Sequence, residues 1–292
     1  MQRIDREAHR FFDGGRAGDP PDPDAPLRIE LTRHLDDGEE SFSLDRAVGY
    51  DDRRLGRIRV PADVDFRTDL TSVPSLFTWL VPRTGRHLPA ALLHDGLVGG
   101  ADGATSYVSE EGHTIARDTA DRVFRDAMAD TGTLLVRRWL VWTAVTVATI
   151  WVGSATWSRR QWWHYRLASA ATILIVVVLG TVATLDLLDL PGDGPMLPWM
   201  GDRSWPLELV GGIAGAVVLP FLLGLTWGRF HVAGTINGVA LAVLLHVSVG
   251  LLLLTGLYRA AEAVVGRAPI AALVTASVAV LASLVVFVVF VV

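Results

Sequence analysis

His94 and Asp95 stand side by side in LPAALLHDGLVGG (residues 88–100), a polar pair set into an apolar run and followed by glycines. Helix packing alone does not ask for two polar residues at adjacent positions. A histidine titrating near about pH 6.5 can take or give a proton at neutral pH, which makes it a ready general base. Two further blocks carry acidic and hydroxyl groups, Phe66-x-Thr68-Asp69-x-x-Ser72-Val73-Pro74 and Ala120-Asp121-x-x-Phe124. Thiolate chemistry and a disulfide framework are excluded, because the chain has no cysteine.

The elements that must hold these groups can be read from the pattern. Residues 13–26, DGGRAGDPPDPDAP, are rich in Gly, Pro and Asp, and the composition predicts disorder over the first 26 residues. Short alternating runs follow at 27–33, 41–50 and 57–61, with a turn at Asp36-Asp37-Gly38, the signature of a small antiparallel β region. Pro89 opens a helix that carries His94 and Asp95. Residues 99–113 read as an exposed loop, and apolar residues at helical spacing predict a second helix ending at Gly132. His87 and His113 fall in loop-like contexts and are expected at the surface.

Beyond Trp139 the charges thin out and the apolar runs lengthen. Four segments, 167–187, 207–227, 230–257 and 269–292, are long enough to cross a bilayer, which takes about 20 apolar residues. A fifth run, 139–157, is diluted by threonines and is expected to pack on the domain or lie at the membrane surface, with a five-span arrangement that includes it as the alternative. The basic loop SRRQWWHYR (158–166), with its tryptophans, is expected on the cytoplasmic side. The opening MQRIDREAHRFF lacks the apolar core of a secretory signal, so the N-terminal domain is expected to be cytoplasmic. Its acidic balance argues against nucleic acid as a partner. Three regions result: a disordered segment 1–26, a soluble domain 27–157 and a membrane region 158–292. The fold class is α+β, a small antiparallel β region with a helix pair, followed by an all-α transmembrane bundle.

The blocks around Thr68-Asp69, His94-Asp95 and Asp121, with Arg137-Arg138 and the helix after them, resemble a phage- and prophage-associated family, the domain of unknown function numbered 1353. The resemblance covers residues 41–150 and departs at Val98, where that family carries a tyrosine. The family implies no activity. A fainter resemblance is to prokaryotic phospholipases A2, which also pair a His-Asp helix with a second helix bearing Asp and Phe. That resemblance implies that His94 deprotonates a water, that Asp121 orients its imidazole, and that Asp95, with Asp69, holds a calcium ion. Calcium takes about 6–8 hard oxygen ligands, to which Ser72 and the carbonyls of 68–74 would add. The glycine-rich calcium loop and the cysteines of those enzymes are missing here.

The same residues also have a purely architectural reading. Thr68, Asp69, Ser72 and Pro74 can close a turn, His94 and Asp95 can end a short helix at Gly96 or Gly99, and Asp121 can lock two helices together. On balance the sequence describes an integral membrane protein whose cytoplasmic domain is an adaptor or structural binding protein. Its partners are the lipid bilayer and a protein still to be identified. The alternative is a membrane-tethered, calcium-dependent lipid-ester hydrolase.

Overall fold

The computed structural model describes residues 10–36, 39–63, 65–70, 84–99, 104–188, 197–201 and 203–270, with 274, 277, 278 and 281 besides. Ser72, Pro74 and most of the expected span 269–292 lie outside the described residues. The chain divides into two units, Met1–Val243 and Leu244–Val292.

In the first unit, strands β1 (Phe11–Asp13), β2 (Asp22–Pro26), β5 (Val48–Asp52), β6 (Gly56–Val60) and β7 (Val108–Ser109) form an antiparallel sheet in the order β2-β1-β5-β6-β7. A separate hairpin joins β3 (Leu31–Asp36) to β4 (Glu39–Leu44). The stretch 13–26 is therefore not simply a disordered linker. Its prolines are tolerated because β2 is an edge strand, where a missing N–H costs no ladder bond. The 99–113 stretch likewise is not all exposed loop: it contributes β7, and the Tyr107 hydroxyl accepts the Ile115 backbone N–H at 2.8 Å.

Helix α1 (Leu88–Val98) is apolar on every side and buried from Ala90 to Val98, the pattern of a central core helix. It packs between β5–β6 and helix α2 (Arg117–Asp130). Gly96 lets it come that close. A Cβ there would sit 2.4 Å from Val60 Cγ2 and 2.9 Å from the Ser106 carbonyl. Gly96 is thus a contact residue inside the helix, and Gly99 at φ 85° is the stop. Helix α3 (Leu135–Val152) sends Val141, Trp142 and Val145 into this core, while Ile150 joins a second cluster with Tyr165, Trp227 and Phe230.

Helices α4 (Arg159–Leu187), α5 (Trp205–Leu225) and α6 (His231–Arg267) follow, with a 3₁₀ turn, Gly228–Phe230, before α6. Five segments among the described residues are long and apolar enough to cross a membrane: 135–152, 159–187, 205–225, 228–247 and 249–267. The last two lie on α6, which runs past the expected end at 257 through Arg259 and Glu262. These helices mark an integral membrane protein. Glycine sets the α5–α6 approach: a Cβ on Gly224 would lie 2.2 Å from the Thr235 backbone nitrogen, and one on Gly238 would lie 3.0 Å from Pro220. Gly211 and Gly215 instead seat Trp199. In the second unit α6 exposes Leu252, Leu253, Leu254 and Leu257, and the Tyr258 hydroxyl donates to Glu262 at 2.6 Å.

Candidate active site

Two ion pairs fix α2 on the sheet. Arg122 makes a two-pronged contact with the buried Asp52 of β5, 2.9 Å on each arm. At the helix end Asp130 accepts the Tyr50 hydroxyl at 2.8 Å and the Arg53 guanidinium at 2.8 and 2.5 Å. Arg117, in the first turn of α2, donates to the Val98 carbonyl at 2.8 Å and so ties α2 to the end of α1. With both helices held, one face of α2 is turned to α1. On it Asp121 accepts from His94 Nε2 at 2.9 Å, and Phe124, one turn on, packs its ring 4.8 Å from the imidazole. The Asp-x-x-Phe spacing thereby fixes both the proton and the plane of His94.

Neither His94 nor Asp95 is a helix cap, because both lie within α1. Asp121 is not exposed; it retains 2% of its surface, against 8% for His94 and 9% for Asp95. A carboxylate oxygen accepts, so the bonded Nε2 is the donor, which leaves Nδ1 as the ring's second nitrogen. That nitrogen faces Asp95 at 4.0 Å, too far for a hydrogen bond. Asp121 Oδ2 is buried with no hydrogen-bond partner among the described residues.

Asp95 is served by the other block. The Thr68 hydroxyl donates to Asp95 Oδ2 at 2.5 Å and accepts the Leu70 backbone N–H at 2.9 Å. Thr68 is placed by a two-bond bridge to Phe42 of β4, 2.8 and 2.9 Å. Leu70 sits at φ 70°, a left-handed conformation that is strained for a residue with a branched side chain. Burial pushes the Asp95 carboxyl up to about 6, against the lowering effects of Thr68 and His94, and the Asp69 charge adds to the rise. Asp69 itself is only partly buried. Asp52 behaves oppositely. Burial raises it, but Arg122 and the backbone N–H groups of Arg54 and Leu55 outweigh that and hold it below the usual range.

Residues 42–145 match the family model described as Protein of unknown function (DUF1353). The matched segment contains Thr68, Asp69, His94, Asp95, Asp121 and Phe124 and ends inside α3, so the motif blocks that share a sequence pattern also share a place in the fold. No curated protein and no solved structure matches the chain.

Among the described residues no three His, Asp or Glu side chains converge as a metal site would need, and one oxygen of Asp95 already accepts from Thr68. Ser72 and the carbonyls of 71–74, expected to complete a calcium set, lie outside the described residues. His87 departs from its expected surface position: it is wholly buried just ahead of α1. His113 lies in the open beside Glu111. No local pattern points to the ion pair between Asp118 of α2 and Arg229 of the 3₁₀ turn, whose partners lie far apart along the chain.

Proposed function

We propose that the DUF1353 segment is a hydrolytic site tethered to a membrane, with His94 as the general base. One observation carries the reading: Asp121 pairs with Nε2 of His94 while Nδ1 makes no hydrogen bond among the described residues. An imidazole oriented this way by a carboxylate can take a proton from water at neutral pH and return it to a leaving group. Asp121 would stabilise the imidazolium formed on the way. The apolar helices that follow make a lipid ester the natural substrate class.

A second reading is favoured by burial. His94, Asp95 and Asp121 each retain less than a tenth of their surface, as a network that fixes a small fold would. On that reading the domain is a membrane-anchored adaptor for a protein partner, held at the cytoplasmic face. One experiment separates the two: the full chain in vesicles containing a fluorogenic phospholipid ester, compared with His94→Ala and Asp121→Asn. Hydrolysis lost in His94→Ala and cut by about 10²-fold or more in Asp121→Asn supports the enzyme. No release by the wild type, or equal release by His94→Ala, leaves the adaptor.

A further inference from the structure

We infer that the connection between α3 and α4 is a docking surface for the headgroup of an anionic phospholipid. Arg159 and Arg160 open α4, both are exposed, and no carboxylate among the described residues pairs with either. The first turn of α4 has no acidic residue, and cations are unfavourable at a helix N-terminus, so the chain itself does not offset these two charges and an anion beside them is favoured. Their neighbour Arg166 is already engaged: it donates to the carbonyls of Ile150 and Trp151 and stacks 3.5 Å over Trp162.

Depth identifies the occupant. Leu167, Leu174 and Val178 of α4 are exposed apolar residues of a segment long enough to span. Arg160 lies seven residues before Leu167, about 10 Å along the axis, which puts it at headgroup level when Leu167 enters the hydrocarbon. Trp163, 48% exposed, and Trp162, edge-on to it at 4.7 Å, lie between the two depths, where aromatic rings settle at a membrane interface. In the same connection Trp157 Nε1 is a buried donor with no acceptor among the described residues. Two unpaired guanidiniums beside interfacial indoles complement a lipid phosphate.

The test uses the full chain in nanodiscs with spin-labelled phosphatidylglycerol or phosphatidylcholine, reading relative association of each lipid with the protein. A juxtamembrane arginine contributes about fivefold to binding an anionic surface, so phosphatidylglycerol should be preferred roughly tenfold or more at low salt. The preference should shrink in molar salt, vanish in Arg159→Gln/Arg160→Gln and survive in Arg159→Lys/Arg160→Lys. Equal association of the two lipids with the wild type overturns the proposal, as does a preference that the glutamine pair leaves intact or that salt does not weaken. The salt series on the wild type decides the matter even if a variant fails to fold.

Discussion

Replacing Asp95 by Asn separates a carboxylate kept for chemistry from one kept as cement. Burial pushes the Asp95 carboxyl up to about 6 in the fold, against about 3.9 for an aspartate in an unfolded chain. Between those two pH values the native state keeps a proton that the unfolded chain releases. Stability is therefore greatest below the lower value and falls as pH rises to about 6, after which the cost is constant. A shift of about two units at about 1.4 kcal/mol each gives a penalty of order 3 kcal/mol at pH 8. Asparagine can still accept from Thr68 and carries no charge to bury, so Asp95→Asn should be more stable than wild type at pH 8. The gain should fade towards pH 4. Unfolding of the full chain in detergent, followed by tryptophan fluorescence across pH 4–8, measures it; about 1–3 kcal/mol corresponds to a rise of several degrees. A lower midpoint for the variant at pH 8, or a gain that does not change with pH, would refute the reasoning.

Three other perturbations test the scaffold. Arg122→Ala leaves the buried Asp52 carboxylate without its cation, held only by the backbone N–H groups of Arg54 and Leu55, and should cost about 3–5 kcal/mol by denaturant unfolding. Because Arg122 helps to hold Asp52 below its ordinary value, the stability it supplies is present at neutral pH and lost as pH falls below about 4; the variant's deficit should shrink in acid. Gly96→Ala drives a methyl into Val60 and the Ser106 carbonyl, so α1 must shift, and the melting midpoint should drop by roughly 1–3 kcal/mol equivalent. Gly224→Val should separate α5 from α6, because the atoms it meets are backbone and cannot yield; cysteine cross-linking across the two helices should fall.

Much of this site is legible in the sequence. The two helices carrying His94 and Asp121 follow from apolar spacing, and the recurring blocks single out the residues that meet. What local pattern could not convey was burial and long-range pairing. His87 reads as a loop residue yet is enclosed by the start of α1. Gly- and Pro-rich composition at 13–26 looks disordered until β1 offers an edge to pair with. Phe124 was visible as a motif residue, but its packing on the imidazole needed the geometry of two helices. Leu70 gave no warning of its left-handed backbone, since glycine is the usual marker of such a turn.

The ion pair of Asp118 with Arg229 and the sharing of α3 between two apolar clusters bear on inheritance as well as on architecture. A catalytic or adaptor module joined to its anchor by a flexible tether can be recombined onto other anchors with little cost. Here the seam runs through the middle of a helix and is closed again by a charge on the far side. A gene fusion cut after residue 157 would strand Asp118 without its cation and strip Ile150 of Tyr165, Trp227 and Phe230. The two parts are thus joined through shared packing and charge, so exchanging one for a foreign partner should destabilise both.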